Sequence, residues 1–171
     1  MHPKTTRRSL IAGGILLAGG AGAGALGLFR AAPARAETFE VTKTAAEWRR
    51  ILTPMQYRVL RNHDTERAGS SPLDREKRAG VFHCAGCDLP LYSSTTKYDS
   101  GTGWPSFWAP LDGAIGTSAD DTLFMTRTEV HCRRCGGHLG HVFDDGPPPT
   151  GKRYCMNGVA MTFVPTGAAA G

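Results

Sequence analysis

Lys152-Arg153-Tyr154-Cys155-Met156-Asn157 opens a run that carries on through Val159, Met161 and Phe163. Its alternation reads as one β-strand, and the fold class follows from that pattern. Successive strand side chains point to opposite faces, so Arg153, Cys155 and Asn157 share one of them. A thiol then stands between a fixed cation and an amide. The thiolate is the reactive form of cysteine, and a neighbouring guanidinium favours it. A free cysteine is equally often an inert core residue. Both readings of Cys155 stand on this stretch alone.

Outward from it, no helical period emerges after Val81. Val81-Phe82-His83, Leu89-Pro90-Leu91-Tyr92, Leu123 to Val130, Leu139 to Phe143 and Tyr154 to Val164 read as short strands between turns. Upstream, Thr44-Ala45-Ala46-Glu47 fits a capping box and starts a helix reaching about Leu52. Thr53-Pro54 caps a second helix, with Met55, Val59 and Leu60 on its apolar side. Asn62 to Arg78 is polar and turn-rich and reads as a wrapping loop. Ala168 to Gly171 reads as a frayed tail. The expected fold is mainly β and antiparallel, with the N-terminal helices packed outside.

Four of the five cysteines form two pairs, Cys84-Ala85-Gly86-Cys87 and Cys132-Arg133-Arg134-Cys135. Two residues between thiolates let one turn offer both sulfurs to one ion, and Gly86 and Gly136 supply the turns. Two such knuckles make a tetrahedral four-thiolate site, which fits one zinc ion per chain. With 44 residues between the pairs, they must meet through the fold. Such a site is coordinatively full, so its role is structural. Disulfides are the competing reading in an oxidising compartment.

The formal charge of +5 misleads. Residues 1–36 contain Lys4, Arg7, Arg8, Arg30 and Arg35 and no acid, which leaves fifteen basic against fifteen acidic residues in the rest. A neutral domain argues against a nucleic-acid module, which needs clustered Lys and Arg. The first 36 residues read as an export signal. Thr6-Arg7-Arg8-Ser9-Leu10 is a twin-arginine start, a Gly/Ala-rich apolar stretch runs from Leu10 to Phe29, and Ala34-Arg35-Ala36 is a small-x-small cleavage site before Glu37. An uncleaved anchor is the alternative, because the stretch is long enough to span. Seven glycines in it make a weak spanning helix. Cleavage leaves residues 37–171 as a periplasmic domain with no membrane attachment.

Other residues gather around this frame. Gly101-Thr102-Gly103-Trp104-Pro105-Ser106-Phe107 reads as a turn presenting Trp104, either as core filling or as an aromatic wall. His138-Leu139-Gly140-His141 sets two imidazoles beside the second knuckle. Their odd spacing places them on opposite strand faces unless a bulge at Gly140 intervenes, and each reads as a structural group or as a catalyst. Asp144-Asp145-Gly146-Pro147-Pro148-Pro149 is a rigid turn from which one Asp reaches Arg153.

These stretches, with Leu52-Thr53-Pro54-Met55-Gln56-Tyr57, Cys132 to Gly146 and Gly151 to Asn157, make residues 44–164 resemble the B-type methionine-R-sulfoxide reductases. The resemblance implies two antiparallel sheets, with a structural zinc held by Cys84, Cys87, Cys132 and Cys135 at the end opposite the active site. It implies reduction of the R epimer of methionine sulfoxide in proteins or peptides, a repair reaction. Cys155 would attack the sulfoxide sulfur and become a sulfenic acid. His138 and His141 would supply or organise the proton, and Trp104 would wall the pocket. Arg153, Asn157 and Asp145 would position groups and tune Cys155. An external thiol such as thioredoxin is the expected partner, and a monomer the expected state. The chain departs from the family pattern twice. Thr102 stands where many members carry a resolving cysteine, and Gly158 to Met161 replaces a frequent Ser-Ala-Ser-Leu. A zinc lyase of similar fold, which would need an open metal position, and a non-catalytic binder of oxidised methionine are the rival functions.

Overall fold

The structure is a computed structural model and describes residues 38–122 and 126–167. The expected leader, the beginning of the Leu123–Val130 strand and the C-terminal tail from Ala168 fall outside the described residues. Two helices come first, α1 (Ala45–Ile51) and α2 (Pro54–Asn62), each entered through a full capping box. Thr44 and Glu47 cap α1, and Thr53 and Gln56 cap α2. Each box satisfies two of the backbone donors that a helix start leaves open. The wrapping segment that follows contains one 3-10 turn, Pro72–Arg75.

Among the described residues nine strands follow: β1 (Gly80–Cys84), β2 (Pro90–Ser93), β3 (Lys97–Tyr98), β4 (Ser106–Phe107), β5 (Ile115–Asp120), β6 (Arg127–Cys132), β7 (His138–Phe143), β8 (Arg153–Met156) and β9 (Met161–Pro165). They form two antiparallel sheets, one ordered β2-β1-β9 and the other β3-β4-β8-β7-β6-β5. The expected architecture therefore holds: mainly β, two sheets, with α2 laid against β7 from outside. Among the described residues no helix is long and apolar enough to cross a membrane.

One expectation fails. The run from Lys152 through Phe163 is not a single strand. β8 ends at Met156, a 3-10 turn at Gly158–Ala160 intervenes, and β9 pairs in the other sheet. The physical reason is Gly158, where a Cβ would lie 2.1 Å from Ser71 Oγ. The chain passes too close to the wrapping segment there for a side chain, and it changes sheets at that point. Hydrophobic alternation persists across the break, so it reads as one strand.

The core lies between the sheets. Tyr92 of β2 stacks on Phe107 of β4 at 4.3 Å, and Phe82 of β1 meets Phe107 edge-on at 5.0 Å. All three are fully buried, and the Tyr92 hydroxyl donates to Met156 Sδ at 3.2 Å. Met156 thus faces the core, and the adjacent Cys155 faces the other side of its sheet. Val59 and Leu60 of α2 are buried with Leu139 of β7 in the same core.

Candidate active site

Cys155 sits in the middle of the larger sheet. Its lateral neighbours are Ser106 on β4 and His141 on β7. The sheet register thus brings a hydroxyl and an imidazole alongside the thiol. The thiol opens on a hollow of about 140 Å³ walled by Trp104, Phe143, His141, Asn157, Thr65 and Arg127. That volume suits the end of one side chain and excludes a nucleotide or a folded segment.

His138 and His141 reach the same region because β7 carries a bulge. His131 pairs with His138 and Val130 with Gly140, so Leu139 is the extra residue. The insertion reverses the alternation, and the two rings end 5.4 Å apart. Only glycine fits at 140, where a Cβ would lie 2.1 Å from the Cys155 carbonyl oxygen. Each ring is held by its own carboxylate. His138 Nδ1 lies 2.7 Å from Glu129 Oε1, and His141 Nε2 lies 2.7 Å from Asp120 Oδ2. The His138 bond holds Glu129 down at about 2. Thr122 and His141 hold Asp120 far below the usual carboxylate range. Both acids are therefore ionised acceptors, so each facing ring nitrogen carries the proton. Burial lowers the His141 pKa against the opposing pull of Asp120, so this ring is neutral at neutral pH. His138 Nε2 is buried with no hydrogen-bond partner among the described residues.

Arg153 is fixed by Asp145 through a two-pronged contact, Nε to Oδ1 and Nη2 to Oδ2, both 2.8 Å. Its guanidinium also covers the Phe143 ring at 4.4 Å. Asp144 pairs instead with Lys152. Asp145 does not wall the Cys155 hollow; with Arg153 it borders a separate recess next to Thr102. Burial raises the Cys155 pKa, and it outweighs the lowering by Thr102, Arg153 and Ser106. Asp145 neutralises much of the cation that was expected to activate the thiol.

Asn157 is buried just past β8. Its Oδ1 accepts from the Glu66 backbone N–H at 2.9 Å, and its Nδ2 donates to the Leu139 carbonyl at 3.1 Å. Trp104 Nε1 donates to the Glu66 carbonyl at 3.2 Å. Thr102 Oγ1 lies 3.8 Å from Cys155 Sγ and joins a hydroxyl chain through Ser100 to Ser106.

The other four sulfurs gather separately, all within 4.8 Å of one another. Cys84 and Cys135 are 3.7 Å apart and Cys87 and Cys132 3.5 Å. Bonds of about 2.3 Å in a tetrahedron set sulfurs about 3.8 Å apart. A disulfide needs about 2.05 Å, so the spacing fits one tetrahedral metal ion and not bridged pairs.

Of the residues expected at the site, Trp104, His141 and Asn157 line the Cys155 hollow, His138 lies beside His141, Arg153 and Asp145 border the neighbouring recess, and the two knuckles form a cluster of their own. Sequence reasoning missed Glu66, Asp120, Arg127 and Glu129. Glu129, on a strand with other polar residues, and Glu66, inside a polar loop, carried no signal.

Comparison with known proteins agrees with this geometry. The SelR domain family matches residues 52–165. A protein of Agrobacterium fabrum (strain C58 / ATCC 33970), named peptide methionine sulfoxide reductase MsrB, is 53% identical over 127 residues, 74% of this chain and 94% of that protein. One of the same name from Pseudomonas putida (strain W619) is 54% identical over 127 residues, 74% of this chain and 96% of its own. Another from Methanosarcina barkeri (strain Fusaro / DSM 804) is 52% identical over 124 residues, 72% and 87% of the two chains. With a matching domain across most of its length and relatives above half identity, the chain belongs to the SelR-domain family of MsrB peptide methionine sulfoxide reductases, which are oxidoreductases.

Proposed function

We propose that this chain reduces the R epimer of methionine sulfoxide in exported proteins or peptides, and that an external thiol then restores the enzyme. One observation carries the reading. Cys155 shares a side-chain-sized hollow with an indole, an imidazole and an amide, while the other four sulfurs stand apart as a cluster. Cys155 attacks the sulfoxide sulfur and gives up its thiol proton. The sulfoxide oxygen takes up that proton and one from solvent and leaves as water, which gives a sulfur–sulfur bonded intermediate; the next step returns a proton to solvent. A second water attacks the Cys155 sulfur and releases methionine, so Cys155 becomes a sulfenic acid. The methionine sulfur gains the two electrons that Cys155 loses.

His138 and His141 orient these waters; a neutral His141 suits that role better than direct proton donation. Trp104 walls the methyl group, and Asn157 fixes the hollow's inner edge. The nearest group to Cys155 Sγ in the resolving position is the Thr102 hydroxyl, which forms no disulfide. Two external thiol groups, such as the dithiol of one thioredoxin molecule, therefore reduce the sulfenic acid to thiol and water and become a disulfide. Cys84, Cys87, Cys132 and Cys135 would hold one zinc ion; when bound it supplies folding free energy, about 10 kcal/mol in small zinc peptides, and offers no open coordination position. Elemental analysis finding no metal would remove it.

Turnover with each sulfoxide epimer, using thioredoxin and a small dithiol in parallel, tests the reading. Turnover of the R epimer alone is expected. Equal turnover of both epimers, or full turnover by Cys155→Ser, would contradict it. The leader belongs to the same proposal: export by the twin-arginine route with cleavage before Glu37. An exported protein beginning at Met1 would count against cleavage.

A further inference from the structure

We propose that Glu66 is a positioning residue that fastens the indole wall and the amide of the sulfoxide pocket to one another. The inference rests on the reading in which Trp104 and Asn157 line that pocket. Glu66 is only 4% exposed, and it belongs to no regular element. Nevertheless it makes four hydrogen bonds that converge on the site. Its carbonyl accepts from Trp104 Nε1 and its N–H donates to Asn157 Oδ1. Its carboxylate accepts from the Gly158 N–H at 2.5 Å and the Val159 N–H at 3.0 Å. These two N–H groups open the 3-10 turn immediately after Asn157.

The consequence is mechanical. The backbone of one loop residue bridges the two sides of the pocket, and its side chain locks that backbone to the turn carrying Asn157. The carboxylate is a costly choice for a lock, because a buried charge is penalised unless well solvated by the protein. Burial raises its pKa, and the two backbone donors oppose the rise. Among the described residues no cation hydrogen-bonds this carboxylate; the two N–H groups bind it. A purely architectural link would be served by an amide or a hydroxyl. An acceptor-only group is needed where two converging N–H donors must both be met. Gly158 completes the device, since a Cβ there would strike Ser71 and approach Glu66 Oε1 to 3.3 Å.

Glu66→Gln keeps the shape but turns one acceptor into a donor facing an N–H. The assay is single turnover without reductant, at varied sulfoxide concentration. Glu66→Gln should lower the ratio of maximal rate to half-saturating concentration by roughly 10- to 100-fold, the range for a small displacement of positioning groups. The half-saturating concentration should carry most of that loss. Leu91→Ala, a fully buried position in the smaller sheet, serves as the destabilised control; it should lower the melting temperature and leave both parameters near wild type. The three tryptophans give three indole N–H signals in an NMR spectrum, and the Trp104 signal, identified by its loss in Trp104→Phe, should shift in Glu66→Gln. Should Glu66→Gln not fold, Gly158→Ala displaces the same carboxylate without removing it, and the same two changes are expected. Wild-type kinetics in a folded, merely less stable variant, or an unmoved Trp104 signal, would overturn the proposal. Wild-type protein inactive on both epimers would instead overturn the function it serves.

Discussion

Thr102→Cys should convert the enzyme from external to internal recycling. The hydroxyl it replaces is 3.8 Å from Cys155 Sγ. An S–S bond needs about 2.05 Å, so the loop must close by nearly 2 Å. Gly101 and Gly103, at φ of 71° and 87°, flank the position and give the loop left-handed conformations that other residues adopt only with strain. The new cysteine would then attack the sulfenic acid and expel water. The bridge would close a loop spanning 53 positions of sequence. Loop-closure entropy at that length is about 4 kcal/mol, less whatever strain the closing movement introduces. The assay is one equivalent of sulfoxide without reductant, followed by thiol counting and thermal melting. Wild type should retain a sulfenic acid that a dione reagent traps. The variant should lose two thiols, resist that reagent and melt at higher temperature. A variant that still accumulates the trappable acid would refute the assignment of Thr102 to the resolving position.

Asp145→Asn frees the Arg153 charge, so the Cys155 pKa should fall and the alkylation rate should begin rising at lower pH; Arg153→Ala should move the same profile to higher pH. Identical profiles would show that burial alone sets the thiol. Gly140→Ala drives a methyl into the Cys155 carbonyl and should cost at least about 1–3 kcal/mol with loss of turnover, read by denaturant melts and rate assays. Glu129, lowered from 4.5 to about 2, binds its proton more weakly folded than unfolded. Its stabilisation is therefore present above 4.5 and lost as pH falls towards 2. Acid titration of Glu129→Gln should show a flatter stability curve in that window.

The parts of this protein that were legible in its sequence are those governed by local rules. Thr44 announced the first helix because a capping box is complete within four residues, and Thr53-Pro54 announced the second through an N-cap and a proline at the first helical position. The two knuckles announced a metal site because their spacing is set by one turn each. The His138–His141 bulge was readable as a possibility, since Gly140 marked where alternation could break. What stayed hidden depends on contacts between distant segments. Gly158 ends β8 only because Ser71 lies against it. β3 and β4 are two residues each and are held by pairing alone, β4 on β8 and β3 on β4. Asp120 and Glu129 read as ordinary charged strand residues until the sheet set them beside His141 and His138. Arg153 was correctly placed next to the thiol, but its neutralisation by Asp145 became visible only with the turn in position.

The claim beneath all of this is that one sulfur, Cys155, does the chemistry. Fully reduced protein, with the metal bound and no reductant present, should yield one methionine per chain from the R sulfoxide and then stop. The single new oxygen should be found on Cys155, and Cys155→Ser should yield none. Methionine formed by the Cys155→Ser variant, or oxidation appearing first on Cys84, Cys87, Cys132 or Cys135, would contradict the account.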